Sequence, residues 1–206
     1  MKAIATVVNN NQPDWETIIQ TEPNVTLPIG APLYVNEPFA ELGSPLGGGF
    51  FAGEFTLDGE RYALVVAPKA EGENLELEYK KRDWRERDGA DNDEDGLVNS
   101  DLLNDANHPA TNFCRSLNIG GHSDWYLPSR DELALLARNL GPRRKKAPVM
   151  FREGGIEAFE TEWYWSSTER ASYSGGAWYV FFPDGGQDYG SKDSSAGVRA
   201  VRRFKI

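Results

Sequence analysis

Cysteine and histidine are scarce in this chain. Its 206 residues include one cysteine, Cys114, and two histidines, His108 and His122. A single cysteine cannot form an intramolecular disulfide, and this set cannot supply a four-cysteine or a three-histidine zinc site. The sequence therefore excludes a disulfide-stapled scaffold and both of those zinc sites.

Long apolar stretches are missing as well. No segment approaches the roughly 20 consecutive apolar residues that a membrane-spanning helix needs. The N-terminal apolar run is interrupted at Asn9, which does not fit the hydrophobic region of a signal peptide. We therefore expect synthesis in the cytoplasm without a signal peptide, and no insertion into a membrane.

Basic residues are outnumbered by acidic ones. Lys and Arg total 22 against 32 Asp and Glu, which gives a net charge of −10 with histidine neutral. A nucleic-acid-binding protein needs a basic face to neutralise phosphates, so nucleic acid is not an expected partner. The sequence also contains no G-x-S-x-G, H-E-x-x-H or P-loop motif. We therefore expect a protein that is not an enzyme.

Proline, glycine and aromatic residues are what the chain has in abundance. Aromatic residues make up 12% of it, and 21 residues are glycine. Six of the 12 prolines lie between residues 13 and 45, where they interrupt regular elements. We interpret residues 1–45 as a Pro-rich N-terminal arm that serves oligomerisation or attachment.

Residues 46–81 have the pattern of a small β-meander. Two apolar runs flank Asp58 and Gly59, a strong hairpin signal because glycine tolerates positive φ. A further run, residues 75–80, alternates apolar and charged side chains with the period of a half-exposed strand. We expect this meander to pack on the following domain or to be part of it.

Residues 82–206 form the third segment, with two predicted helices followed by strands. Apolar side chains, Cys114 among them, recur on one helical face between residues 110 and 117, so we expect this cysteine in the core. Ser129 and Glu132 have the spacing of a capping box, and Gly141 ends the second helix. Strands, then helices, then strands indicate an α+β fold.

An acidic loop before the helices suggests one metal site. Asp91, Asp93 and Asp95 alternate ahead of a glycine, as in the first half of an EF-hand calcium loop, and Asn99 occupies the ninth loop position. The twelfth position, which needs a bidentate glutamate, is a leucine. The hypothesis is a calcium site at these four residues, and the alternative is a solvated acidic loop. No motif requires a cofactor.

The C-terminal segment has the composition of a binding surface. Between residues 166 and 197, aromatic side chains alternate with Ser, Gly, Asp and Gln, and rings give a large contact area at low entropic cost. Strand alternation puts Trp178 and Val180 on one face and Tyr179 and Phe181 on the other. We expect Trp178, like Trp125 and Trp165, to be core, and the Tyr179 face to be exposed. A strand buried on both faces is the alternative.

Three motifs in order carry a family resemblance. Residues 119–133, 163–169 and 198–203 read IGGHSDWYLPSRDEL, WYWSSTE and VRAVRR. Together they resemble the bacterial and phage C-type-lectin-like domain family. That family includes phage tail-fibre tips, variable proteins of diversity-generating retroelements and the C-terminal domain of a collagen-like bacterial adhesin. The resemblance implies a C-type-lectin-like fold with two helices and a twisted antiparallel sheet, with residues 82–206 as the ligand-binding domain.

The resemblance also implies where a ligand binds. In retroelement variable proteins the segment before the closing strand is diversified, and the matching stretch here is residues 171–196. The resemblance assigns Trp178, Val180, Phe182 and Gln187 to the scaffold. It assigns eight residues to ligand display: Tyr173, Tyr179, Phe181, Asp184, Asp188, Tyr189, Lys192 and Asp193.

The function implied is ligand display or receptor binding. Such a protein is a phage or prophage tail-fibre tip or a retroelement variable protein, located on the virion tail or the cell surface. Its expected partners are a host cell-surface protein or glycan and, because fibre-tip members are often trimeric, further copies of the chain in a homotrimer. The alternative is a structural virion or surface protein without a dedicated ligand.

Overall fold

A computed structural model describes residues 39–206, which fall within one compact unit. The described strands are β1 (Pro45–Leu46), β2 (Gly49–Leu57), β3 (Glu60–Val66), β4 (Glu73–Glu78), β5 (Trp163–Glu169), β6 (Gly176–Phe181), β7 (Gly186–Ser191), β8 (Ser195–Arg199) and β9 (Val201–Lys205). The helices are α1 (Lys69–Gly72), α2 (Gly96–Leu102), α3 (Pro109–Arg115) and α4 (Arg130–Leu140), with a 3-10 turn at Val149–Phe151. Most of the predicted arm, and its proposed part in a trimer, lie outside the described residues.

The strands form two sheets. One has four strands in the order β1-β2-β3-β9, and the other has five in the order β4-β8-β5-β6-β7. The predicted hairpin is confirmed, because β2 and β3 pair around Asp58 and Gly59, which both have positive φ. All pairings are antiparallel except that between β5 and β8, which is parallel.

The segment 46–81 is tied to the C-terminal strands by backbone pairing. β3 pairs with β9 from Tyr62 opposite Lys205 to Val66 opposite Val201, and β4 pairs with β8. Both sheets thus combine strands from the two ends of the described chain. The hairpin of β6 and β7 forms the opposite end of the larger sheet from β4, and β7 is the last strand.

The α+β class is observed, and residues 39–206 contain four helices where two were predicted. α3 and α4 are the predicted pair, and α4 begins with a complete capping box between Ser129 and Glu132. The short α1 and α2 were not predicted. α2 begins at the acidic loop, where the Asp95 carboxylate accepts hydrogen bonds from the amides of Leu97 and Val98. None of the helices among residues 39–206 is long and apolar enough to cross a membrane.

The core consists of two clusters on the two sides of β5. Tyr164 points into one cluster and its neighbour Trp165 into the other. Trp125 and Cys114 are fully buried in the second cluster, as predicted, and burial raises the pKa of the Cys114 thiol. The same prediction is wrong for Trp178, which is only half-buried and belongs to neither cluster.

Candidate ligand-binding surface

The hairpin of β6 and β7 carries most of the predicted display residues. Trp178 lies opposite Tyr189 in the register, and Tyr179 lies opposite Asp188. Residues that are directly opposite in an antiparallel pair share a face of the sheet, and the next pair along points to the other face. The hairpin therefore presents two different surfaces, one around Trp178 and Tyr189 and one around Tyr179.

The first surface combines arginine and aromatic side chains. The Arg130 guanidinium lies 3.9 Å from the ring centroid of Trp178, and that of Arg170 lies 3.5 Å from the ring centroid of Tyr189. Tyr173 meets Tyr189 edge to face, with 6.0 Å between centroids. We call these five residues (Arg130, Arg170, Tyr173, Trp178, Tyr189) the arginine–aromatic face. Tyr173 and Tyr189 are 46% and 39% exposed, so the face is open to solvent.

Unused donors give the arginine–aromatic face a chemical preference. In the part of the chain that the structure describes, Arg170 pairs with no carboxylate, and its Nε donates to the Ser172 hydroxyl at 3.1 Å. Arg130 donates from Nε to the side-chain carbonyl of Gln187 at 2.7 Å and has Asp93 at 3.8 Å. A planar guanidinium that is stacked on a ring keeps its edge free for an acceptor. The face can therefore bind an anionic group beside an apolar or planar one.

The second surface is more closed. Tyr179 packs against Trp163 and Trp165, with centroids 4.2 and 5.2 Å away, and Phe181 lies 5.1 Å from Trp163. A Cβ at Gly190 would lie 2.7 Å from the Trp165 ring and closer still to Tyr179. Glycine at this position therefore lets both rings pack across β7. As a result Tyr179 and Phe181 are half-buried rather than fully displayed.

The predicted display residues thus do not form one contiguous patch. Tyr179, Phe181 and Asp188 lie on one face of the hairpin, whereas Tyr189 lies on the other beside Trp178. The family resemblance implied scaffold positions for Trp178 and Gln187, yet Trp178 is half-exposed and Gln187 exposed. Trp178 shares one face of β6 with Val180, which is buried. This face is covered at Val180 but only half-buried at Trp178, a difference that alternation alone does not reveal.

The assignment of Lys192 to display is wrong. Its side chain is fully buried, and its Nζ forms an ion pair with Glu169, which is also buried. The same Nζ donates to the Glu86 carbonyl at 2.9 Å, and Glu169 accepts amide hydrogen bonds from Asp88 and Gly89. Lys192 therefore holds the loop at 86–89 against β5 and is not available to an external ligand.

The two remaining display residues lie in turns. Asp184 is exposed at the tip of the β6–β7 hairpin, where its carboxylate accepts the Gly186 amide at 2.8 Å. Asp193 is exposed after β7, and its carboxylate accepts a hydrogen bond from the Ser191 hydroxyl. Both carboxylates are accessible, and both also stabilise their own turns.

The four predicted calcium ligands are not brought together. Asp91 pairs with Arg87, and Asp95 receives two hydrogen bonds from Arg203. The Asn99 amide is buried and donates to the Asn92 carbonyl at 2.7 Å. No group of three or more His, Cys, Asp or Glu side chains within residues 39–206 is arranged to hold a metal ion. The three carboxylates lie against arginines of the fold instead, so the structure does not arrange these residues as a calcium site.

Several residues of the surface were missed from the sequence. Arg130 belongs to the first of the three resemblance motifs and Arg170 directly follows the second, and neither was considered as a surface group. Trp84 was given no role from the sequence, but a Cβ at Gly175 would lie 2.8 Å from its ring, beside Tyr173. When the residues of the two strands are paired outward from the β6–β7 turn, Trp178 comes opposite Tyr189. This pairing would have revealed their shared face.

Comparison with known protein families identifies the larger part of the chain. No curated protein matches the chain. Residues 73–202, which include α2 to α4 and the hairpin of β6 and β7, match the family described as the Lcl C-terminal domain. The match covers more than half of the chain, and the chain therefore belongs to the Lcl C-terminal domain family, a C-type-lectin-like family of phage and retroelement variable proteins.

Proposed function

We propose that the protein is a ligand-display or receptor-binding protein, without catalytic activity, that contacts a host cell-surface protein or glycan through the arginine–aromatic face. The single observation that carries the proposal is this solvent-open cluster on a hairpin of a well-packed sheet. Its family membership makes a phage or prophage tail-fibre tip or a retroelement variable protein the matching biological setting. The proposed location is accordingly the virion tail or the cell surface.

The arginine–aromatic face has the composition and the exposure of a binding surface. Exposed aromatic groups that lie together are unfavourable for solubility unless a ligand covers them. Tryptophan, tyrosine and arginine are also the residue types that most often dominate binding energy at interfaces. On this face the arginines stack on the rings, so the side chains are already ordered and lose little conformational entropy on binding.

A structural component without a dedicated ligand is the second candidate. In that case the arginine–aromatic face would pack against another copy of the chain in a homotrimer. The family resemblance implies that fibre-tip members are often trimeric, which favours an oligomer in either case. In the structural candidate the arginine–aromatic face is covered by another copy of the chain. In the display candidate it stays free in the assembled protein.

The test is binding of the fluorescently labelled full chain to a panel of bacterial and eukaryotic cells, with oligomeric state measured by light scattering. We expect Tyr189→Ala and Arg170→Ala to lose cell binding without changing the oligomeric state. The matched controls, Tyr62→Ala and Arg143→Ala, lie away from the face and should bind as the wild type does. Loss of the oligomer in the face variants would instead support the structural role.

A genomic observation separates the two display settings. A reverse transcriptase gene with a template repeat beside the coding sequence would identify a retroelement variable protein. Tail genes in the same position would identify a fibre tip. If both gene neighbourhoods are absent and the protein binds no cells, the display proposal is contradicted.

A further inference from the structure

Strand β7 is the last strand of the five-stranded sheet, and its outer edge is unpaired within the described residues. It pairs with β6 on one side, and no other strand among residues 39–206 pairs with it. Beyond its end, the Lys192 amide donates to the Gly175 carbonyl, so this backbone position points towards β6. Alternate residues of an antiparallel strand point their amide and carbonyl the same way. The backbone groups of Gln187, Tyr189 and Ser191 therefore point outward.

One outward donor is already occupied by a neighbouring side chain. The Tyr189 amide donates to the Asp188 carboxylate at 2.8 Å, and the Ser191 carbonyl accepts the Ser194 amide at 2.9 Å. The Gln187 amide and carbonyl and the Tyr189 carbonyl have no partner in the described part of the chain. The Asp188 carboxylate thus takes the place that a carbonyl of an added strand would take at Tyr189.

The side chains beside this edge have opposite charges on the two faces of the sheet. Arg170 and Tyr189 lie on the arginine–aromatic face, and within residues 39–206 no carboxylate pairs with Arg170. Asp188 lies on the other face, opposite Tyr179. A strand added to β7 would direct alternate side chains to these two faces. Side chains on the first face would meet a cation, and those on the second face would meet an anion.

We propose that the free edge of β7 receives an extended segment of a partner protein, whose alternate residues are acidic towards Arg170 and neutral or basic towards Asp188. The proposal rests on the proposed function and specifies the partner as a protein rather than a glycan. Backbone amides and carbonyls at strand spacing are complementary to another peptide backbone, and such strand addition is a common mode of peptide recognition. The free guanidinium edge of Arg170 selects carboxylates by charge-assisted hydrogen bonds.

The role of Asp188 follows from its contact with the Tyr189 amide. While the carboxylate occupies that amide, it protects the edge from unspecific pairing, as charged side chains on edge strands do. An incoming strand has to displace the carboxylate from the amide. Removal of Asp188 should therefore strengthen binding of a suitable segment, an effect opposite to the loss expected for a residue that contacts the ligand.

The experiment measures binding of a blocked, fluorescent octapeptide of alternating Glu and Thr to the full chain by anisotropy at fixed salt. We expect Arg170→Ala to weaken binding roughly tenfold or more, the range of one charge-assisted pair, whereas Arg143→Ala, an exposed arginine elsewhere, leaves it unchanged. A Lys–Thr peptide of the same length offers Arg170 no carboxylate, so any binding of that peptide should be the same in Arg170→Ala and in the wild type. Equal binding by Arg170→Ala and wild type would overturn the proposal.

Two further arms test backbone pairing itself. The same Glu–Thr peptide with N-methylated threonine amides, and a second with N-methylated glutamate amides, remove donors from one edge at a time. We expect one of the two to lose binding and the other to retain it, because only one edge of the added strand faces β7. Asp188→Ala should bind the unmodified peptide more tightly than the wild type does. Asp188→Asn should bind the same peptide less tightly than Asp188→Ala does. Equal binding of all three peptides would overturn strand addition.

The cell-binding experiment keeps the two proposals distinguishable. Cells treated with protease should lose binding, and cells treated with glycosidases should retain it, if the partner is a protein segment. Binding that depends on Arg170 but survives protease treatment would overturn the protein partner and leave the display function standing. Absence of any cell binding that depends on Arg170 would contradict the display function itself.

Discussion

Arg203 donates two parallel hydrogen bonds to Asp95, from Nη1 to Oδ1 at 2.7 Å and from Nη2 to Oδ2 at 2.9 Å. The same carboxylate accepts the amides of Leu97 and Val98 in the first turn of α2, so one aspartate joins the closing strand β9 to the start of a helix. Arg199 and Arg202 of the same motif pair with Glu157 and Asp124. The arginines of the closing motif are therefore structural, and they use a carboxylate that the calcium prediction had assigned to a metal.

The first prediction concerns this ion pair. Arg203→Ala should lower the free energy of unfolding by roughly 3–5 kcal/mol, because it leaves the Asp95 carboxylate largely buried without its cation. Urea unfolding followed by circular dichroism measures the change. Arg203→Lys keeps the charge but not the two parallel bonds, so its loss should be intermediate. A free energy within 1 kcal/mol of the wild type for Arg203→Ala would contradict the assigned role.

The second prediction concerns calcium. Because the side chains of Asp91, Asp95 and Asn99 have partners within the fold, calcium should not bind among them. The melting temperature measured in millimolar calcium should equal that in a chelator, and Asp93→Ala should leave this comparison unchanged. A rise with calcium that Asp93→Ala abolishes would restore the metal site, since a ligand that binds the folded state stabilises it by mass action.

The third prediction concerns stability at acid pH. Burial pushes the pKa of Asp95 upward, but hydrogen bonds from Arg203 and from the Val98 amide outweigh it, so the pKa lies below its ordinary value. A group with a lowered folded-state pKa contributes stability that is fully present above the ordinary pKa, about 3.9 for aspartate, and is lost as the pH falls through the folded-state pKa.

The measurement is the free energy of urea unfolding between neutral pH and the acid limb. The wild type should lose stability on acidification below the ordinary aspartate pKa, and the loss should be smaller in Asp95→Asn, which has no proton to bind there. Glu132 works in the opposite direction, because burial raises its pKa. A slope on the acid limb that is the same in both proteins would show that Asp95 does not contribute to it.

Local signals in the sequence located several elements correctly. The Asp58-Gly59 hairpin and the capping box of Ser129 and Glu132 were predicted because turn and cap chemistry depends on a few adjacent residues. The burial of Cys114 followed from helical spacing. These features need no knowledge of the rest of the chain.

Features that depend on distant partners could not be predicted. Lys192 was assigned to the surface because nothing near it in sequence shows that Glu169 and the Glu86 carbonyl converge on its ammonium group. Trp178 was assigned to the core because alternation gives its face but not the point at which that face leaves the core. α2 was missed because its cap acts through Asp95, which resembled a metal ligand.

The fourth prediction concerns the buried pair of Lys192 and Glu169. Lys192→Met should destabilise the protein by roughly 3–5 kcal/mol, because it leaves the buried Glu169 carboxylate without its cation. Lys81→Met, at an exposed lysine, is the matched control and should change stability by less than about 0.5 kcal/mol. Addition of Glu169→Gln to Lys192→Met should recover part of the loss in thermal or urea unfolding. No recovery would show that shape, rather than charge, is what the site requires.

The last prediction separates the two tryptophans of neighbouring strands. Trp165 is fully buried, and its indole donates to the Leu77 carbonyl at 3.0 Å, so Trp165→Ala should cost roughly 3–5 kcal/mol of stability. Trp178 is half-exposed and contacts Arg130 and Tyr189, so Trp178→Ala should cost much less.

Binding should show the reverse order in the variants that remain folded. Trp178→Ala removes the ring on which Arg130 stacks, and a central aromatic residue of an interface typically accounts for about 2 kcal/mol or more of binding free energy. Trp165→Phe, which keeps an aromatic ring in the core, is the folded control and should bind cells as the wild type does. The comparison uses melting curves and cell binding on the same preparations. If Trp178→Ala melts far below the wild type, its ring belongs to the core after all, and the arginine–aromatic face loses its centre.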